Sequence, residues 1–226
     1  MKYIRKNLKN EPEQLRVYRM TTPNATYKGY GDTDSKLKTA LLGEQGYLCA
    51  YCMKSIAEFN TTVEHFESQE LNPKLQLKFS NMLAVCDGST ISYPEKEALH
   101  HCDKTKPPLG KMNGQVKLNK LDPRSVASQH LVTYTFGGEI LSVNSDTEVE
   151  HDLNRVLNLN NKALITSRRI ALDLALDKMK KEKPVQEWNR TFFQKHLDEW
   201  QTPTDLKYRR FCMIAVWFLT RQINKI

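Results

Sequence analysis

Leu48-Cys49-Ala50-Tyr51-Cys52, then Val63-Glu64-His65-Phe66, then Ser80-Asn81-Met82-Leu83-Ala84-Val85-Cys86, then His100-His101-Cys102-Asp103-Lys104: four short runs place two pairs of cysteines around an acid, an imidazole and an amide. Four of the five cysteines fall between positions 49 and 102. The opening, MKYIRKNLKNEP, has neither a secretory n-region nor an apolar h-region, so a cytosolic, thiol-reducing location is expected. Clustered cysteines there hold metal more often than they form disulfides. Cys49-x2-Cys52 puts two thiolates on one turn at the spacing tetrahedral Zn²⁺ requires, and Cys86 with Cys102 completes a closed structural site. Fifteen residues separate the second pair, so the ring closes only if that segment loops out. His100 or His101 is the alternative ligand in place of Cys86 or Cys102. Cys212, inside FCMIAVWF, reads as an ordinary buried thiol.

Between the half-sites, Glu64 and His65 sit between apolar Val63 and Phe66. Read alone, the pair would be two solvated residues on an edge strand. Framed by cysteines, it offers an oxygen ligand for a divalent cation and a base that works near neutral pH. Phosphodiester hydrolysis needs both: charge neutralisation on the phosphate and removal of a proton from the attacking water.

LCAYC, VEHF, SNMLAVC and HHCDKTK together resemble an HNH endonuclease module of the ββα-metal type with zinc-knuckle cysteines. MKYIRKN, the CAYC–EHF pairing and RVLNLNNKALITSRR resemble, more narrowly, the HNH subunit of the Septu antiphage defence system, a family also found beside retron reverse transcriptases. The likeness runs along most of the chain, but its specific part is confined to about residues 45–110 and the LNLN stretch. It implies an α+β fold with a zinc-knuckle ββα-metal core, a β-hairpin and a C-terminal helical bundle. By the same resemblance His65 is the general base, Glu64 a ligand of a catalytic Mg²⁺ or Mn²⁺, and Asn81 a brace for the loop or the base. The family pattern has histidine or asparagine just after the last zinc cysteine, whereas Asp103 stands there in this sequence. Asp103 is favoured as the further oxygen ligand, with His101 the alternative. Implied partners are a nucleic-acid substrate and a restraining ABC-type ATPase, with a retron reverse transcriptase and its noncoding RNA/DNA in retron-linked members.

With 34 Lys+Arg against 26 Asp+Glu, the chain carries a formal +8, which favours a polyanion over an acidic protein or a small apolar ligand. The positive charge is clustered at KYIRKNLKN, HHCDKTKPPLGK, TSRR and KMKKEK. Lys104 and Lys106, beside the motif, are candidate phosphate contacts, with a solvated charge run as the alternative. Such contacts make binding salt-sensitive and largely sequence-independent.

The remainder reads as scaffold: residues 1–45 an N-terminal helical arm, 46–150 the nuclease core with zinc site and hairpin, and 151–226 a helical region. Ser35 to Leu42 predicts a short helix stopping near Gly43 and Gly46. LVTYTFGGEILSV predicts a hairpin turning at Gly137-Gly138. Leu164, Arg168, Ala171, Leu172, Ala175 and Met179 share one helical face. Further helices are expected from about Val185 to Trp200 and from about Asp205, with His196 as a packing residue. FCMIAVWFLT is far shorter than the roughly twenty apolar residues of a membrane span. A non-catalytic zinc-knuckle module that binds nucleic acid or protein is the competing class, but it has no use for Glu64 and His65. A nucleobase-type zinc hydrolase ranks lower, because the His-x-Glu…Pro-Cys-x-x-Cys arrangement is missing.

Overall fold

The computed structural model describes residues 1–31, 35–91, 98–105 and 117–226. Its helices and strands, in chain order, are α1 (Glu13–Thr21), α2 (Tyr27–Tyr30), α3 (Ser35–Gln45), β1 (Thr61–His65), β2 (Met82–Cys86), β3 (Ser89–Ile91), β4 (Ala98–His100) and α4 (Val126–His130). Then come β5 (Val132–Tyr134), β6 (Ile140–Ser142), α5 (Thr147–His151), α6 (Lys162–Glu182), α7 (Arg190–Gln201) and α8 (Cys212–Ile223). The strands form three separate antiparallel pairs, β1-β2, β3-β4 and β5-β6. This mixture of helices and small sheets fits an HNH-like α+β fold. After β4 comes only a short 3-10 turn, Cys102–Thr105, and the next residues, 106–116, lie outside the described ones.

β2 organises the N-terminal half. Its sequence, MLAVC, is apolar at every position and all five residues are buried, so it must be covered on both faces. β1 pairs along one edge, with Glu64 opposite Leu83 and His65 opposite Met82. The other edge is met largely by a side chain. The Gln45 amide Nε2 donates to Ala84 O (2.7 Å) and Leu48 O (2.8 Å), and its Oε1 accepts from Ala84 N–H (2.7 Å). Ala50 N–H also donates to Ala84 O (3.1 Å). Gln45 thus stands in for a peptide group of a missing strand and draws the 48–50 segment alongside β2, satisfying polar groups that burial would otherwise orphan.

α3 runs through Gly43 to Gln45, three residues past the expected Leu42, and stops at the second of the two glycines expected to end it. It ends at Gly46, whose φ of +58° and close approach to the Tyr208 ring leave no room for a Cβ. The hairpin β5-β6 forms as its alternating pattern and glycines require. Gly138 takes a φ of +99°, and a Cβ there would lie 2.3 Å from Ile165 O. The six residues named on one face of α6 are the ones it buries, and α8 packs against α6, α7 and β5.

Two helix starts differ from the expectation. Val185–Glu187 is a separate 3-10 turn, and α7 begins at Arg190 because the Asn189 side chain caps it by accepting from Phe192 N–H (3.0 Å). The last helix begins at Cys212, not near Asp205. Asp205 and Leu206 take positive φ, and the backbone N–H groups of Tyr208 and Phe211 are spent on Gly46 O (3.0 Å) and Met53 O (2.9 Å). Those bonds tie the C-terminal helices directly to the segment carrying Cys49 and Cys52. No helix among the described residues is long and apolar enough to cross a membrane.

Candidate metal centre and active site

The CAYC turn is closed by its own backbone: Cys49 N–H donates to Lys54 O (2.9 Å) and Met53 N–H to Cys49 O (3.1 Å), with Met53 at φ +64°. Cys86 ends β2. The β3-β4 pair, with His101 N–H donating to Gly88 O (2.9 Å), brings the chain back so that Cys102 returns to Cys86. Cys102 has a left-handed φ of +57° and is held there by its N–H bond to Leu157 O (2.8 Å). All four sulfurs are buried and lie within 4.8 Å of one another. Cys49 Sγ is 3.8 Å from Cys102 Sγ, and Cys52 Sγ is 3.8 Å from Cys86 Sγ. A tetrahedral Zn²⁺ with sulfurs at about 2.3 Å has sulfur–sulfur edges of about 3.8 Å, so the donor set fits zinc.

The electrostatics agree with a site for a cation. Burial pushes the Cys52 and Cys102 thiols well up, whereas hydrogen bonds from Cys102, Cys49 and Cys52 push the Cys86 thiol down. Four thiolates cannot share so small a buried volume without a compensating positive charge. His101 is fully buried on this side, its Nδ1 3.2 Å from Cys102 Sγ and 3.9 Å from Cys86 Sγ. The converging set is the four cysteines, with His101 beside them. His100 is exposed, and its backbone oxygen accepts from Asn158 Nδ2 (2.8 Å).

A second cluster starts from the same turn. Tyr51, between the two knuckle cysteines, is buried and its hydroxyl donates to Glu64 Oε1 (3.2 Å). Burial, then the charges of Glu64 and Asp103, hold the Tyr51 phenol well above its ordinary value. Glu64 and His65 are consecutive on β1 yet both buried, because the last residues of this strand are covered on both faces. His65 Nε2 lies 2.8 Å from Gln76 O and its Nδ1 3.1 Å from Gln69 Nε2, while the Tyr27 ring packs edge-on at 4.5 Å. Burial lowers the His65 pKa, opposed by the Gln76 carbonyl and by the negative charge of Asp103. Tyr51, Glu64, His65 and Asp103 thus form one electrostatic neighbourhood.

Asn81 ties the connection between β1 and β2. Its Oδ1 accepts from Glu67 N–H (2.9 Å), and its Nδ2 donates to Glu67 O (2.9 Å) and Leu75 O (3.3 Å). Lys104 is exposed and donates to Ser89 Oγ (2.6 Å) on β3; Lys106 lies outside the described residues. Sequence reasoning passed over Tyr51, Gln69 and Gln76. The position of Tyr51 inside CAYC was a usable signal, whereas nothing in a polar loop distinguished the two glutamines.

No protein-family model matches the chain. It is 32% identical over 102 residues to a protein of Escherichia coli described as a candidate HNH endonuclease of retron Ec83, an alignment covering 40% of this chain and 39% of that protein. The chain thus spans about two fifths of the length of the relative it matches.

Proposed function

We propose that this chain is a metal-dependent HNH-type endonuclease that hydrolyses nucleic-acid phosphodiesters. The observation that carries the reading is the state of His65. A backbone carbonyl only accepts, so the 2.8 Å contact with Gln76 O requires the proton on Nε2 and leaves the Nδ1 lone pair as a base. His65 then takes the proton of the attacking water, and burial favours the neutral ring that can accept it. Glu64 and Asp103 would hold Mg²⁺ or Mn²⁺, whose charge would stabilise the scissile phosphate and the leaving oxygen. Tyr51 orients Glu64 through its hydroxyl. Asn81 holds the loop that carries Gln69 and Gln76, and so holds His65 in place. The four cysteines bind structural Zn²⁺, and Lys104 with Lys106 contacts substrate phosphates. The retron-linked relative supports a nucleic-acid substrate and a retron setting; a retron reverse transcriptase with its noncoding RNA/DNA as partners extends that reading. A Septu-like arrangement with an ABC-type ATPase as restraining partner extends the same reading.

The test is cleavage of plasmid DNA and total cellular RNA with Mg²⁺ or Mn²⁺, comparing wild type with His65→Ala, each alone and co-expressed with its genomic neighbours. Cutting by wild type and none by His65→Ala is expected. If both proteins hold zinc and bind nucleic acid but cut nothing in any form, the non-catalytic binding module replaces this reading.

A further inference from the structure

Both ring nitrogens of His65 are engaged, and the two contacts differ in kind. Nε2 faces a carbonyl, which fixes the tautomer. Nδ1 in that neutral ring is a bare acceptor, so only a donor can face it, and the group 3.1 Å away is the side-chain amide of Gln69. Gln69 follows His65 by four residues, in the connection between β1 and β2, and is only partly buried. The backbone around it is pinned: Asn72 N–H donates to Ser68 O (2.8 Å), Glu70 N–H to Ser68 Oγ (3.2 Å), and Asn81 grips Glu67 on both sides. Rotating the Gln69 side chain therefore breaks one neutral hydrogen bond and disturbs no strand.

We propose that Gln69 is a gate on His65: its amide occupies the position from which a water presents its proton to Nδ1, and the amide rotates away before the base acts. This rests on the nuclease reading above. The chain as it stands holds its base capped. An anionic substrate or a partner that offers the Gln69 amide a better acceptor uncaps it. Gln69 acts through His65 and contributes no proton itself.

The experiment uses the full chain as wild type, Gln69→Ala, Gln69→Met and His65→Ala. Gln69→Met keeps the bulk of the side chain but cannot donate, so it controls for packing. Diethyl pyrocarbonate, which acylates an unprotonated imidazole nitrogen, is the first probe, with His65 followed by peptide mass mapping. Labelling of His65 is expected to quicken about three- to tenfold in both Gln69 variants, the weight of one neutral hydrogen bond. Plasmid cleavage with Mn²⁺ is expected to show kcat raised by a similar factor with KM unchanged, which a merely structural role for Gln69 would not produce. Labelling at or below the wild-type rate in both variants overturns the gate. So does faster labelling with slower cleavage, which would make Gln69 a helper. Faster labelling with no cleavage by any protein leaves the cap standing and removes the nuclease reading instead.

Discussion

Replacing Cys86 by serine removes one of four converging sulfurs without changing the length of β2. Structural zinc is worth about 10–16 kcal/mol in small zinc-binding peptides, so one ligand in four carries about 2.5–4 kcal/mol. Against a net domain stability of about 5–15 kcal/mol, that is a large fraction. The position makes compensation difficult. Cys86 is buried at the end of a fully buried strand, and Cys52 Sγ lies 3.8 Å away. A hard serine hydroxyl there is a poor ligand for zinc and a polar group in an apolar setting. For a chain of this size each kcal/mol shifts Tm by about 2–4 °C, so a fall on the order of 10 °C is expected. The assay is zinc content by elemental analysis alongside thermal unfolding with and without chelator. Chelator should lower wild type toward the variant and move the variant far less, whereas His65→Ala should keep its zinc. A Cys86→Ser protein that retains stoichiometric zinc and melts within about 2 °C of wild type would refute the argument that these four sulfurs form one closed structural site.

Asp152 is fully buried and accepts backbone N–H bonds from Asn119 (2.8 Å), Lys120 (2.8 Å) and Leu121 (2.9 Å). In Asp152→Ala, water can reach the exposed Asn119 and Lys120 but not buried Leu121, so urea titration should show a loss of about 3–5 kcal/mol; a loss below about 1 kcal/mol would mean that the 119–121 segment rearranges at little cost. The glycines should split in sign. Gly138→Ala forces a side chain into Ile165 O at φ +99° and should lose at least about 2 kcal/mol, whereas Gly43→Ala, in helical α3 with open space around it, should gain up to about 1 kcal/mol. Equal melting temperatures for these two variants would count against both assignments.

Much of the molecule was legible because its signals are short-range. The turn at Gly137-Gly138 and the buried face of α6 depend on residues within a few positions of one another, where period and turn chemistry act directly. Helix starts were less legible. α7 waits for its Asn189 cap, and α8 waits until Cys212 because Tyr208 and Phe211 bond to the backbone at Gly46 and Met53, more than 150 positions away in sequence. No local pattern encodes a hydrogen bond of that reach.

By itself the sequence determined which chemistry is present: four clustered thiols, an adjacent acid and imidazole, an amide in the following run, and a surplus of positive charge. Spacing and side-chain type carry that information whatever the fold. Only the tertiary structure decided how those groups meet. It chose the four cysteines over the neighbouring histidines as the converging set by giving Cys102 a left-handed backbone braced on Leu157 O. It joined the two clusters through Tyr51, whose hydroxyl reaches Glu64 from within the knuckle. It also set the His65 tautomer with Gln76 O and covered Nδ1 with Gln69. Each of these depends on where a buried donor finds its acceptor, which only the packed chain specifies.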